Sequence, residues 1–379
     1  MEPDVIQDKS FKREISVRAV LLIILVCAFI FGYLDMFLPC NFERLHVFLF
    51  NLTVGGFIII RYTEDGQRPS LMSFAYLFLS ICYSFLTYFE LYGYAAALSV
   101  ILAGIVETFR IRRFSFFPAD FFSEDTPAAL LFHHAALLCL SLALLFSSIV
   151  ILNDRFLHIF IIEKLTLDVF FLGYSFPVSL ITMSVMFSFI KSRIKSLEYL
   201  LFWIINPGVV LFFIFILFRL HVPEIFTASL LAVSVAVLFI YFLRRGCVTQ
   251  QKQFLMSGMI FLLGTAVTGV GYAALPEGST PYRLFGKHLL MLHSYLSLYG
   301  WNLSGILVIM RWKDFPIHLN SRLTITLHWL IILIMAPLGR VAPVTALMSI
   351  CVYIIFLGIY FLGKSGGITQ VLSGGIQRK

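Results

Sequence analysis

The sequence predicts an all-helical membrane protein, a polytopic bundle of about twelve transmembrane helices. Its composition, its apolar runs and the placement of its basic residues all point to this class. Of the 379 residues, 60% are hydrophobic and only 13% are charged. A water-soluble domain needs more polar residues than this to cover its surface. Inside a bilayer each segment must satisfy its own backbone hydrogen bonds, so apolar runs of roughly 20 residues predict helices.

Twelve apolar runs follow one another with short connections between them. They comprise residues 20–39, 45–60, 71–89, 91–107, 128–152, 168–190, 199–218, 225–243, 254–275, 286–310, 323–339 and 343–363. We therefore expect an N-terminal arm over 1–19, a single transmembrane domain over 20–363 and a tail over 364–379. The arm carries both signs of charge and has no small-residue cleavage pattern, so a signal peptide is not expected.

The basic residues predict the side of the membrane on which each run begins, because Lys and Arg accumulate in cytoplasmic loops. With the N-terminus inside, the cytoplasmic segments hold 21 of the 28 basic residues and the outer loops hold 7. This distribution predicts that both termini are cytoplasmic, in a cell membrane such as the inner membrane of a bacterium. It also accounts for the net charge of +8. No nucleic-acid partner is expected, since the basic residues lie in separate loops.

The inner loop at 109–122 mixes aromatic and basic residues in a way that suits the headgroup region of a membrane. We expect it to anchor the chain to anionic lipid, and a docking surface for a membrane partner subunit is the alternative. Its residues are Phe109, Phe114, Phe116, Phe117, Phe121 and Phe122, interleaved with Arg110, Arg112 and Arg113.

Small residues occur within the ninth and tenth runs. Glycine inside a transmembrane helix lets a neighbouring helix approach closely. We therefore interpret these glycines as packing positions and not as a phosphate-binding loop. They are Gly258, Gly264, Gly269 and Gly271 in the ninth run and Gly300 and Gly305 in the tenth.

Polar residues within the runs are the candidates for function, because burying them in a membrane is unfavourable. His46 lies near the outer end of the second run, and His288 and His293 lie in the outer half of the tenth. Two histidines facing each other across a bundle can hold a haem. His288 and His293 are about 140° apart around a helix, so at most one of them faces His46. Alternatively, all three bond to backbone carbonyls or water at the membrane interface.

A second set of titratable residues could form a proton path. Imidazole and carboxylate groups exchange protons near neutral pH. Alternatively, the residues on the inner side are snorkelling side chains near the ends of the helices. Asp168 can equally be an ordinary carboxylate at the N-terminus of a helix. The set consists of Glu107, His133, His134 and His328 on the inner side, with Asp168 at the outer start of the sixth run.

Twelve spans with a histidine at the outer end of span 2 and another in the outer half of span 10 resemble the haem-copper oxidase subunit I superfamily. The stretch from His288 to Trp301 is similar to the histidine-leucine, glycine-tryptophan run of the smaller NnrS family. Residues 172–177, Leu-Gly-Tyr-Ser-Phe-Pro, resemble a run that NnrS-type proteins place after a histidine. The resemblance implies a haem cofactor with His46 and His293 as axial ligands and His288 as the competitor of His293.

The chain departs from the oxidases at the copper site, which they build from a histidine in span 6 and a histidine pair in span 7. Here span 6 offers Asp168 and Tyr174 instead, and His221 lies beyond the end of span 7. Terminal oxidase activity is therefore not expected.

Three functions fit the sequence: a haem-binding redox or nitrogen-oxide-response protein, a transporter or channel, and an assembly subunit of a membrane complex. A transporter often has discontinuous helices around its site, and Asn206-Pro207 is one candidate break.

Overall fold

Twelve helical rods make up the described part of the chain, and each overlaps one predicted run. The computed structural model describes residues 3–64, 69–167, 171–275, 278–311 and 318–363, without the side chains of 3–15 and 171–172, and no strand occurs within these ranges. The rods are α1 Pro3–Tyr33, α2 Glu43–Thr63, α3 Leu71–Tyr88, α4 Tyr92–Arg113, α5 Ala128–Leu157, α6 Phe171–Ser188, α7 Lys195–Leu217, α8 His221–Arg245, α9 Gln250–Ala273, α10 282–310, α11 Arg322–Leu338 and α12 Pro343–Leu362.

Nine of these described rods, all except α6, α10 and α11, are long and apolar enough to cross a membrane. The chain is a multi-pass helical membrane protein. Helix α1 begins at Pro3, inside the segment predicted as an arm. The predicted tail at 364–379 lies outside the described residues.

Local chemistry explains several helix boundaries. The side chains of Ser70, Thr249 and Ser321 accept hydrogen bonds from the backbone N–H groups three residues later, at the starts of α3, α9 and α11. Such N-caps satisfy amide groups that a helix start leaves unpaired. Three of the described non-glycine residues lie in the left-handed region, and two of them form short connections, Glu90 between α3 and α4 and Arg219 between α7 and α8. These tight turns bring consecutive helices together as antiparallel pairs.

Helix α2 lies at the centre of the bundle. About 83% of its apolar window is buried, the largest share among the candidate spans. It contacts α1, α3, α4, α5, α6 and α10, and α1 packs against α12. The polar side chains of His46, Asn51, Thr53 and Thr63 in α2 are buried within the protein.

Several helices depart from regular α geometry near this centre. The segments Phe48–Gly55 of α2, Leu296–Asn302 of α10 and Ile331–Met335 of α11 are π-helical. Helix α6 contains Pro177, which cannot donate a backbone hydrogen bond. Single π turns within α-helices are frequent at functional sites.

Two buried basic residues cap the C-termini of helices on the side predicted to be cytoplasmic. Arg311 donates to the carbonyls of Tyr360 and Phe361 at the end of α12, at 3.0 and 3.1 Å. Lys252 donates to the carbonyls of Leu243 and Gly246 at the end of α8, at 2.9 and 3.0 Å. A cation satisfies unpaired carbonyls there and interacts favourably with the helix dipole.

Glycines allow the close helix packing that the sequence predicted. A Cβ atom at Gly300 would lie 2.5 Å from Cγ of Phe261, and one at Gly305 would lie 1.9 Å from Oγ1 of Thr182. At Gly258 it would lie 2.9 Å from Cβ of Ser304. Helices α9 and α10 thus meet through glycine, and Gly305 brings α10 against α6.

We expect Gly300→Ala to lower the free energy of unfolding by about 1–3 kcal/mol, because the added methyl overlaps the Phe261 ring. Gly104→Ala is the matched control, since a Cβ there meets no atom within 4 Å. It should stabilise helix α4 by about 0.4–1 kcal/mol. Unfolding in a mixed detergent series measures both values, and equal effects of the two substitutions would contradict the packing role of Gly300.

Candidate functional site: the polar column of helix α2

Polar side chains of α2 and of its neighbours form a column along α2. At the predicted outer face the column begins with an ion pair whose two members lie outside α2. Arg340 donates to both carboxylate oxygens of Asp35, at 2.8 and 2.6 Å, and its guanidinium lies 5.4 Å from the centre of the Tyr33 ring. Both partners of the ion pair are partly exposed. Below them the Tyr295 and Tyr299 rings stack at 5.7 Å. The outer end of the column is therefore a pair of charged side chains that are partly exposed.

The next step inward is a hydrogen bond between Tyr299 and His46. Nδ1 of His46 lies 2.7 Å from the carbonyl oxygen of Ala28, and its Nε2 lies 2.9 Å from the Tyr299 hydroxyl. Because a carbonyl only accepts, the proton of the neutral ring is on Nδ1. Nε2 then accepts from the phenol. Gly32 makes room for this ring, since a Cβ there would lie 2.9 Å from Nδ1.

A cluster of amides and hydroxyls follows, between α2, α6 and α10. Asn302 donates through Nδ2 to the Ser175 hydroxyl at 2.8 Å and to Oδ1 of Asn51 at 3.3 Å. Its Oδ1 accepts from the Ser179 hydroxyl at 3.0 Å, and Ser179 accepts from the indole of Trp301 at 3.1 Å. Asn51 and Asn302 are both buried. We call Asn51, Ser175, Ser179 and Asn302 the amide–hydroxyl cluster.

An apolar stretch of α2 lies between this cluster and the side predicted to be cytoplasmic, and we call it the apolar barrier. The side chains of Phe57, Ile58, Ile59 and Ile60 are fully buried. Just above them, the buried hydroxyl of Thr53 has no hydrogen-bond partner among the described residues. Below the barrier Thr63 lies 2.8 Å from Nε2 of His133. The column of α2 is thus polar in its outer part, apolar below Thr53, and polar again at Thr63.

A separate network on the side predicted to be cytoplasmic centres on Arg110, which is 3% exposed. Arg110 donates to the Glu107 carboxylate at 2.7 Å and to Nε2 of His134 at 2.8 Å. Nδ1 of His134 lies 2.9 Å from both carboxylate oxygens of Asp120. Since Arg110 only donates, Nε2 of His134 accepts and Nδ1 carries the proton. His134 therefore links two charged groups.

The same network holds the loop that contains the phenylalanine and arginine residues. Arg110 donates to the carbonyls of Ser115 and Phe116, at 2.9 and 3.0 Å. At the far end of the connection, Lys195 donates to Asp125 at 2.8 Å and lowers the pKa of this exposed carboxyl group. The side chains of Phe116, Phe117 and Phe122 are exposed. The loop therefore presents aromatic rings from a backbone that buried charges hold in place.

Each of the histidines proposed as haem ligands forms a hydrogen bond with another group of the protein. His46 uses both ring nitrogens on Ala28 and Tyr299, and Nδ1 of His293 lies 2.9 Å from the carbonyl oxygen of Thr265 in α9. His288 is exposed, with Nδ1 3.2 Å from the carbonyl oxygen of Leu284. Haem binding by these histidines stays a prediction from the sequence. Among the described residues no group of three or more His, Cys, Asp or Glu could hold a metal ion.

The proton-path candidates fall into separate places. His133 joins the inner end of the column, whereas Glu107 and His134 belong to the Arg110 network. Nε2 of His328 lies 3.1 Å from the backbone oxygen of Tyr299, and its ring is stacked between Phe254 and Phe356. Asp168 lies outside the described residues.

Four important members of the site were not selected from the sequence. Tyr299, Asn302, Ser179 and Arg340 acquire their roles from contacts with residues more than a hundred positions away. An intramembrane amide is a signal that could have identified Asn302, because such groups are rare inside membrane helices. The tyrosine has no comparable signal.

Comparisons with protein-family models, with curated proteins and with solved structures found no match to this chain.

Proposed function

We propose that this chain is a membrane transport protein that moves protons along the polar column of α2. The observation that carries the proposal is that two groups of hydrogen-bonding side chains lie five residues apart along the most buried helix, His46 with Tyr299 of α10 and Asn51 with Asn302 of α10. Phenol, imidazole and hydroxyl groups can each accept a proton on one side and donate one on the other. Buried groups of this kind inside membranes mark proton relays.

The geometry of the helices supports transport over a purely structural role. The cluster lies where the π-helical segments of α2 and α10 meet α6, which contains Pro177. Many transporters build their sites from interrupted helices near the middle of the membrane. Proton transport requires that the apolar barrier at Phe57–Ile60 opens. Irregular segments are points at which a helix can change conformation, so they could allow this opening. In this proposal the structure represents a state closed toward the inner side.

Proton flux into liposomes tests the proposal. Purified protein is reconstituted with trapped pyranine, and a potassium gradient with valinomycin sets the interior negative. We expect the wild type to acidify the interior faster than protein-free liposomes do. Asn302→Leu should reduce the protein-dependent rate at least about tenfold, because Asn302 connects Asn51 with both serines.

Asn206→Leu is the matched control for this substitution. Asn206 is also an amide within a helix, but it donates to the Phe202 carbonyl one turn earlier in α7, at 3.0 Å. Its removal should leave the flux unchanged. A monodisperse wild-type protein that conducts no faster than empty liposomes, at either sign of the potential, would refute the proposal.

We further propose that all twelve rods cross the membrane and that both termini are cytoplasmic, as the basic residues predict. The native cysteines provide the test. Cys40 lies exposed between α1 and α2, and Cys247 lies between α8 and α9. In single-cysteine variants, a membrane-impermeant maleimide should label Cys40 in intact cells and Cys247 only after permeabilisation. The reverse pattern would contradict the orientation.

Two other expectations remain predictions from the sequence. Binding of the 109–122 loop to anionic lipid is supported by the exposed Phe116, Phe117 and Phe122 beside the exposed Arg112. The other is haem binding by His46 and His293, whose ring nitrogens bond to Tyr299 and to the carbonyl oxygen of Thr265 in this structure.

A further inference from the structure

His328 of α11 is fully buried and contacts the backbone of α10 at the residue that bonds to His46. Its Nε2 lies 3.1 Å from the carbonyl oxygen of Tyr299. Because a carbonyl only accepts, Nε2 carries the proton of the neutral ring and Nδ1 carries none. Nδ1 has no hydrogen-bond partner among the described residues. Within this part of the chain, the bond to Tyr299 is therefore the one hydrogen bond of the ring.

The carbonyl that accepts from His328 lies within the π-helical segment of α10. In a regular α-helix the N–H of Leu303 would donate to the carbonyl of Tyr299, four residues earlier. Here the N–H of Leu303 donates to the carbonyls of Leu298 and Gly300. The imidazole thus supplies a donor to the Tyr299 carbonyl at the point where α10 departs from the α pattern. A side chain that inserts into the backbone hydrogen bonds of a helix is a recognised cause of such a departure.

Three aromatic rings hold the His328 imidazole in this orientation. The centre of the imidazole lies 5.4 Å from that of Phe254 in α9 and 5.3 Å from that of Phe356 in α12, and both pairs are stacked. The Phe261 ring meets the imidazole edge-on at 5.2 Å. Contacts of this kind have a preferred geometry, which restricts rotation of the ring. The N–H of Nε2 is therefore directed at a single carbonyl.

Tyr299 connects this contact with the polar column of α2. Its carbonyl accepts from His328, and its hydroxyl donates to Nε2 of His46. Nδ1 of His46 in turn donates to the carbonyl of Ala28. One series of hydrogen bonds therefore joins α11, α10, α2 and α1. Loss of the additional residue of a π turn would rotate one part of α10 against the other by about 100°, which would turn the phenol away from His46.

We propose that His328 is a positioning residue for proton transfer between Tyr299 and His46. Its N–H stabilises the π-helical segment of α10, and this segment directs the Tyr299 hydroxyl at Nε2 of His46. The inference rests on the proposed function, because it concerns the proton path along α2. His328 acts through Tyr299, since its own Nδ1 contacts no polar group of the described residues.

Two substitutions of His328 separate the hydrogen bond from the packing of the ring. His328→Gln retains an N–H donor near the position of Nε2 and loses the ring, whereas His328→Phe retains a ring between Phe254 and Phe356 and loses the donor. In the liposome assay we expect His328→Gln to conduct protons within about twofold of the wild type. His328→Phe should conduct at least about tenfold more slowly, because a displaced group transfers protons poorly. The opposite order would assign His328 to packing and overturn the proposal.

Trp329→Phe is the matched control for these variants. Trp329 follows His328 in α11, and its indole donates to the Ser257 hydroxyl of α9 at 2.9 Å. The substitution also removes one hydrogen bond and retains an aromatic ring, but this bond does not reach Tyr299. The flux should therefore stay as in the wild type, and a loss equal to that of His328→Phe would overturn the proposal. His328→Leu replaces His328→Phe if the latter is not monodisperse.

A spectroscopic measurement distinguishes failure of this inference from failure of the proposed function. In protein labelled with ¹⁵N-histidine in nanodiscs, the Nε2 resonance of His46 reports the hydrogen bond from Tyr299 whether or not protons are conducted, and His46→Gln assigns this resonance. We expect His328→Phe to shift it toward its position in Tyr299→Phe, and His328→Gln to leave it in place.

The possible results of this measurement lead to different conclusions. A wild type that conducts no protons, with the expected shift in His328→Phe, refutes the proposed function but leaves the contact of His328 with Tyr299 in its positioning role. A resonance that shifts in Tyr299→Phe and not in His328→Phe overturns the role of His328. A resonance that shifts in neither variant also overturns it, because the hydrogen bond that His328 is proposed to position is then absent.

Discussion

Arg110→Met is expected to destabilise the protein by about 3 kcal/mol, the largest effect on stability that we predict. The substitution leaves the Glu107 carboxylate without its ion pair, removes the donor to Nε2 of His134 and frees the carbonyls of Ser115 and Phe116. Removing one partner of a buried ion pair typically costs about 3–5 kcal/mol. The lower end applies because Glu107 is 26% exposed. Unfolding in mixed detergent measures the change.

Arg112→Met is the matched control, because Arg112 lies two residues further on and is exposed. Its effect should stay within about 0.5 kcal/mol. The double variant Glu107→Gln/Arg110→Met should recover part of the loss, since no buried charge then lacks a partner. If Arg110→Met unfolds like Arg112→Met, the network does not hold the loop.

Tyr299→Phe is expected to give the largest loss of activity without a comparable loss of stability. The hydroxyl of Tyr299 donates to Nε2 of His46 at 2.9 Å, and its removal interrupts the proposed proton path. The ring contacts with Phe29, Tyr295 and Tyr353 remain. We expect the proton flux into liposomes to fall at least about tenfold, whereas the free energy of unfolding should fall by about 1 kcal/mol.

Tyr353→Phe provides a close control in the same cluster. The Tyr353 ring lies 5.3 Å from that of Tyr299 and is fully buried, but its hydroxyl has no hydrogen-bond partner among the described residues. This variant should conduct protons as the wild type does. Equal flux in Tyr299→Phe and Tyr353→Phe would show that the Tyr299–His46 hydrogen bond is not part of the path.

The arginines and lysines between the apolar runs show what a linear charge pattern leaves open. Their placement between apolar runs depends only on the order of residues and predicts an orientation. What Arg110, Lys252 and Arg311 do depends on packing, because each is buried and donates to backbone carbonyls, Arg110 in the 109–122 loop and the other two at the ends of helices. A linear charge pattern cannot distinguish such buried contacts from solvated ones.

The histidines illustrate the same limit at the site. Their depth within each run could be predicted, but the direction of each ring could not. His293 lies six residues before Tyr299, which places the two about 120° apart around a helix. The structure directs His293 toward α9 and Tyr299 toward His46. The π-helical segments add to the difficulty, since they shift the helical phase that spacing arguments assume.

The sequence by itself determined that this protein is a helical membrane protein and which polar residues lie within its helices. Backbone hydrogen bonding in a bilayer leaves a long apolar run few other structures, so these properties follow from composition and order. Only the tertiary structure decided that α2 is central, that His46 bonds to Tyr299 and that Asn51 meets Asn302. These pairings depend on the rotation of each helix against its neighbours, and contacts between residues far apart in the chain set that rotation.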